Sequence, residues 1–285
     1  DEDNVARVTR AALDQAKANR ASQLRPVVLA PTPGKQQGTW KSPIKVDPFT
    51  VSVPDKVAFL LAANDAALKV KGVRTVNSSM FFLREEKTLM TSDDSYIVQT
   101  IYRTYPQLSV TAVSSDFSDF QSVASNEVAP MGLGYEHVTD SRLTQRAPEW
   151  AELAVQKLSA KPVEPGRYDL LLHPSNLWLT IHESIGHATE YDRAIGYEAA
   201  YAGTSFATPD KLGNMQYGSP VMNVTADRTV EHGLATIGFD DEGVAAQSWD
   251  LVRDGIFVGY QLDRVFAPRL GLTRSNGCSY ADSPH

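Results

Sequence analysis

His182, Glu183 and His187 lie within six residues of one another and combine two imidazoles with a carboxylate beside the first. Neutral imidazoles are good ligands for Zn²⁺, and a neighbouring carboxylate can take a proton from a water activated at the metal. Zinc lowers the pKa of such a water to about 7, so no strong base is needed. Glu183 would deprotonate the attacking water and pass the proton on to a leaving amine, serving first as base and then as acid.

The spacing is unusual for such a site. On a regular helix, at about 100° per residue, histidines at i and i+4 stand about 40° apart, whereas at i and i+5, as here, they stand about 140° apart. Both reach one ion only where the helix widens or ends between them. A π-bulge is one such widening, and Gly186, just before His187, would supply the backbone freedom. The pattern therefore predicts irregular helical hydrogen bonding between His182 and His187. Two histidines this close also occur as helix caps or surface groups, and spacing by itself leaves both readings open.

The neighbouring titratable residues carry weaker signals. Glu190 and Asp192 either orient the histidines by accepting their ring N–H groups or belong to a solvated helix end. His173 reads as a core or capping histidine, and His137, His232 and His285 as surface residues. Cys278 is the sole cysteine. No internal disulfide can form, which fits a reducing, cytoplasmic setting. Without a base nearby in sequence, Cys278 reads as a small buried residue rather than a nucleophile.

The stretch His182 to Asp192 resembles the HExxxH-containing signature of the TldD/PmbA family. The match, His-Glu-x-x-Gly-His-x-x-Glu-x-Asp, includes Gly186, Glu190 and Asp192. Arg84-Glu85-Glu86-Lys87 followed by Ser92-Asp93-Asp94-Ser95 resembles a strand-turn-strand of the family's N-terminal region, and Arg274-Ser275-Asn276-Gly277 resembles a segment beyond its metal helix. The resemblance implies a zinc peptidase acting on peptides or unfolded polypeptide, built from paired subunits as a homo- or heterodimer. Members without the two histidines are non-catalytic partners, so His182, Glu183 and His187 place this chain with the active type. The family completes its zinc site with a cysteine beyond the region matched here. Cys278 does not occupy that position, and the chain therefore reads as a fragment holding two ligands, with Cys278, Glu190 or His173 as substitutes.

The whole chain sets wider bounds. Its 285 residues, 42% hydrophobic and 21% charged, suit one large or two ordinary globular domains. The formal net charge of −7 lacks the basic footprint of a nucleic-acid binder. No apolar run approaches the ~20 residues of a membrane span.

The elements that must position the site follow from periodicity. Val5 to Ala21 has helical spacing, and residues 30–48 read as loop. A second helix opens at Pro54-Asp55-Lys56 and runs towards Gly72 as its cap. Val73–Val76, Met80–Arg84, Ile97–Thr104 and Leu108–Val113 read as strands of an antiparallel meander. A helix from Ala147 to Leu158 precedes Lys161-Pro162-Val163-Glu164-Pro165-Gly166, the best boundary in the chain. Residues 1–163 then form an N-terminal α+β domain, and residues 164–285 an incomplete C-terminal β-rich domain carrying the metal helix (Asn176 to Tyr191). Strands are expected at Tyr168–Leu172, Val221–Val224, Leu234–Phe239, Ser248–Val252 and Ile256–Leu262, with a hairpin at Arg253-Asp254-Gly255. The fold class is α+β. Two functions compete: a zinc-dependent peptidase with Glu183 as base, and a non-catalytic peptide-binding or assembly subunit with an incomplete metal site.

Overall fold

The computed structural model describes residues 2–32 and 34–280; Pro33 of the loop and His285 lie outside the described residues. Helix α1 (Glu2–Ser22) forms where its spacing predicts, but none of its residues is buried. Strand β1 (Gln37–Lys41) precedes α2 (Val53–Leu68), whose cap Ser52 accepts the N–H of Asp55 at 3.2 Å. Pro54 sits in the first turn, where its missing N–H costs nothing. The helix ends at Leu68 rather than near Gly72, which instead takes φ +100° in the turn that follows.

Strands β2 (Val73–Met90) and β3 (Tyr96–Val113) pair antiparallel along their whole length, joining runs that the sequence divides. Pro106, between the runs Ile97–Thr104 and Leu108–Val113, lies inside β3 opposite Met80. The flanking Thr104 and Leu108 direct their N–H groups away from β2, to Met131 O at 2.9 Å and Ser125 Oγ at 3.0 Å. The donor missing at Pro106 falls between those two partners and costs no bond to β2. Strand β1 pairs in parallel with the start of β3, and β4 (Phe120–Ala124) antiparallel with its end. The sheet is therefore mixed, not the purely antiparallel meander expected.

Helices α3 (Glu136–Asp140) and α4 (Leu143–Lys157) follow, the latter starting before the predicted Ala147 and carrying Pro148 inside. Leu108, Val110 and Ala112, alternating along β3, pack with Ala63 and Ala67 of α2 and with Leu143, Ala147, Trp150, Ala151 and Ala154 of α4. Two helices on a sheet make the expected α+β arrangement. His137 is buried, its Nε2 2.8 Å from Ala129 O, and His232 is partly buried. Neither is the surface residue that the sequence suggests.

The second half carries less regular structure than its periodicity implies. Residues 168–172 form no strand, and Leu170 and Leu171 are fully or largely exposed. Strands β5 (Val224–Asp227), β6 (Ser248–Arg253) and β7 (Ile256–Phe257) make a small antiparallel sheet. Asp254 and Gly255, at φ +51° and +79°, form the expected two-residue turn. Residues 234–239 do not become a strand. The Gln99 side chain accepts the amides of Gly238 and Phe239 at 3.0 and 2.9 Å, in place of a neighbouring strand. A second core gathers Tyr191, Ala194, Ala207, Phe257, Tyr260, Leu262 and Phe266. Tyr260 stands edge-on to Phe257 and Tyr191, with centroids 4.8 and 5.1 Å away. No described helix is long and apolar enough to cross a membrane.

Candidate metal centre

Helix α5 (Leu177–Ile181) does not continue as a regular helix. Residues His182–Gly186 form a π turn, in which the N–H of His187 donates to His182 O, five residues back. A 3-10 turn, His187–Thr189, follows, and Glu190 is already extended before the short helix α6 (Tyr191–Ala194). The irregular hydrogen bonding expected from the spacing is present, and it turns both histidines to one side. Their ring centroids are 4.3 Å apart and edge-on. Among the described residues, one donor atom each from His182, Glu183 and His187 gathers within 4.8 Å of the others.

The reason assigned to Gly186 does not hold. Its φ of −51° and ψ of −69° lie in the right-handed helical region, and an added Cβ would meet only Ile181 O, at 3.9 Å. The π turn is held instead by side chains from elsewhere. Gln261 donates through Nε2 to Gly186 O at 2.6 Å, its own N–H donates to Thr189 O at 2.8 Å, and its carbonyl accepts from Tyr191 N at 3.3 Å. Thr189 Oγ1 donates to Ile185 O at 2.8 Å. Tyr217, whose hydroxyl is pushed up to about 12 by burial, donates to Ser184 O at 2.5 Å.

His187 is oriented by a carboxylate. Its Nδ1 lies 2.8 Å from Glu190 Oε1 and 3.3 Å from Arg193 Nη2. A guanidinium can only donate, so the two contacts make opposite demands on Nδ1. The shorter, charge-assisted bond to Glu190 sets the tautomer: Nδ1 carries the proton, and Nε2 keeps its lone pair for a metal. Glu190 is itself held by Arg193 Nε at 2.9 Å, and Arg193 also reaches Glu198 at 3.0 Å and Ala202 O at 2.7 Å. Burial opposes the Arg193 charge, but Glu190, Glu198 and Asp192 outweigh it and hold the pKa above its usual value.

The other sequence candidates stand elsewhere. The Asp192 carboxylate accepts the N–H of Arg193 at 2.9 Å, and its contact there is with the backbone, not with a histidine. His173 caps the 3-10 turn Pro174–Asn176, with Nδ1 accepting from Ser175 N at 3.2 Å and lying 2.9 Å from Ser175 Oγ. Cys278 lines the same cleft of about 620 Å³ as His187, Glu190 and Arg193. It is not among the clustered donors, and burial pushes its thiol up to about 11. Glu190 faces Nδ1 of His187, which makes it a partner of the ligand and not a substitute ligand.

Two imidazoles, one of them oriented by Glu190, and a nearby carboxylate suit Zn²⁺ as part of its three or four protein ligands. His182 and Glu183 are exposed and His187 is half-buried, which leaves open the side from which a substrate would approach. Arg193, Tyr217 and Gln261 complete this frame without having been singled out in the sequence. Only Arg193 had a signal there, three residues beyond Glu190.

Two family models match. That of the PmbA/TldA metallopeptidase central domain covers residues 46–161, and that of the PmbA/TldA metallopeptidase C-terminal domain covers residues 165–285. A metalloprotease of Methanocaldococcus jannaschii is 26% identical over 228 residues, 79% of this chain and 47% of that protein. A protein of Saccharolobus solfataricus named a zinc metalloprotease TldD homolog is 25% identical over 118 residues, 41% of this chain and 24% of its own length. The crystal structure of a Thermotoga maritima protein, described as a proposed modulator of a DNA gyrase, superposes with a TM-score of 0.73 at 16% identity. The match covers 95% of this chain and 58% of that one and shows a shared fold. The chain thus spans about half the length of the M. jannaschii relative. With both of its family domains matched in order, the chain belongs to the PmbA/TldD family of metallopeptidases.

Proposed function

We propose that this chain is the metal-binding part of a zinc-dependent peptidase that hydrolyses peptides or unfolded segments, with His182 and His187 as ligands and Glu183 as general base. The observation that carries this reading is the bond from His187 N–H to His182 O, which brings the two imidazoles to one side. Zinc held there would supply a Lewis acid for the scissile carbonyl and for a water. Glu183, the carboxylate grouped with both histidines, takes a proton from the attacking water and delivers it to the leaving amine. Glu190 keeps the proton of His187 on Nδ1, and Arg193 holds Glu190 in place. The open side at His182 and Glu183 admits an extended chain. The working protein acts in the cytoplasm, paired with a related subunit as a homo- or heterodimer, and a further ligand completes the site.

The test is metal analysis of the full-length protein together with cleavage of an unstructured peptide. Glu183→Gln is expected to keep the fold and the zinc but lose cleavage. Retained cleavage removes Glu183 from the mechanism. The shortness of the donor set, with no cysteine among the clustered atoms, favours a second reading, a non-catalytic peptide-binding or assembly subunit. A full-length protein without metal would decide for it.

A further inference from the structure

The π turn has a neighbour that the proposed chemistry does not use. The N–H of His182 donates to Trp178 O, so Trp178 stands one helical turn before His182 on the same side of α5. Its indole is 65% exposed and lines a cleft of about 640 Å³ shared with Tyr105, Pro130, Pro174 and Leu234. Ligand clefts run to about 300–1,000 Å³ and are lined mostly by apolar and aromatic groups.

The titratable groups at this cleft already have partners. Glu127 accepts Trp150 Nε1 at 2.8 Å and pairs with Arg146, and His173 is held by Ser175. What the cleft offers an incomer is therefore apolar surface. Asn126 and Tyr105 also line a second recess, on β2 and β3, whose wall includes Ser78, Ser79 and Gln107. An apolar recess that begins one turn from His182 thus continues into a surface rich in amides and hydroxyls. Those groups suit the N–H and C=O groups of an extended chain.

We infer that the cleft beside Trp178 is a substrate pocket, taking a large apolar or aromatic side chain of the polypeptide whose backbone passes His182. This rests on the peptidase reading above and adds to it a substrate preference. Offset or edge-on packing against Trp178 and Tyr105 favours a ring over an aliphatic chain of equal size. A charged side chain would lose water there without gaining a partner.

The test uses equilibrium binding, in the full-length protein with cleavage blocked by Glu183→Gln. Two labelled unstructured peptides differ only in Phe or Asp at one central position. The Phe peptide should bind about tenfold tighter or more. Trp178→Ala should abolish that difference and Trp178→Phe restore most of it, with zinc content unchanged throughout. The indole is exposed, so neither change threatens the fold. Equal binding of the two peptides overturns the pocket, as does a Phe preference that survives Trp178→Ala. A change in sedimentation mass with Trp178→Ala, peptide preference unaltered, assigns the cleft to a subunit contact and also overturns it. Absence of cleavage in the protein with Glu183 intact, alongside a Trp178-dependent preference, overturns the peptidase reading and leaves the pocket standing.

Discussion

Gln261 donates its side-chain amide to Gly186 O at 2.6 Å, joining residues 75 positions apart. A π turn leaves carbonyls without their usual i+4 donors, and this amide serves one of them. Gln261→Ala should lower the zinc affinity of the full-length protein about tenfold, the lower end for residues that support a ligand. The lost bond is worth about 1 kcal/mol, or about 2–4 °C in melting midpoint. Competition with a chromophoric chelator and a thermal melt check both. Unchanged zinc affinity would mean that the turn holds itself.

Glu190 should matter more than Asp192, although both belong to the matched signature. Glu190→Ala removes the acceptor of His187 Nδ1–H and is expected to weaken zinc binding about 10–100-fold. Asp192→Ala, whose carboxylate meets the Arg193 N–H, should leave zinc binding near wild type. Equal losses in the two variants would contradict the geometry.

Chelation should separate function from fold. Neither hydrophobic core includes His182, Glu183 or His187. Removing zinc with EDTA is therefore expected to stop peptide cleavage while circular dichroism stays that of the folded protein, the melting midpoint falling only by the stabilisation that zinc binding adds to the native state. Global unfolding on chelation would show that the metal has a structural role.

Cys278 gives a pH-dependent signature. Burial pushes its thiol from the ordinary 9.0 to about 11, so alkylation by iodoacetamide at pH 8 should run far more slowly than in the unfolded chain. Above pH 9 the unfolded chain loses a proton that the native chain keeps. This group's contribution to stability is therefore full below about 9 and declines as pH rises through 11. Rapid labelling at pH 8 would place the thiol in the open.

The i, i+5 spacing of His182 and His187 made the distorted helix legible, because two imidazoles cannot share one side of a regular turn at that distance. Gly186 is the local cause that the sequence suggests, because glycine is the residue that most readily supplies backbone freedom. The actual constraints are long-range: Gln261 and Tyr217 follow no motif and reach the turn only after the chain has folded. In the sheet, Ile97–Thr104 and Leu108–Val113 read as separate strands although β3 runs through both, and the sequence does not show in which direction the donor missing at Pro106 would have pointed. The reverse error occurred at residues 234–239, whose alternation suggests a strand while Gln99 takes their amides. The first core is legible in outline because its periods, two along β3 and three to four along α4, are local properties; the second gathers Tyr191, Ala207, Phe257 and Phe266 from short separate segments that share no period.

A π turn is an α-helical turn holding one surplus residue, and that gives the metal centre a reading in terms of insertion and deletion. Removing Ser184 would shorten His182-Glu183-Ser184-Ile185-Gly186-His187 to a four-residue repeat, with the imidazoles about 40° apart on an ordinary helix. The histidines would still converge. Everything after them would be rotated by about 100°, carrying Thr189 away from Gln261 and Tyr191 away from Gln261, Tyr260 and Phe266. The surplus residue is thus the means by which one helix brings its two imidazoles together on one side and keeps the downstream packing on the other.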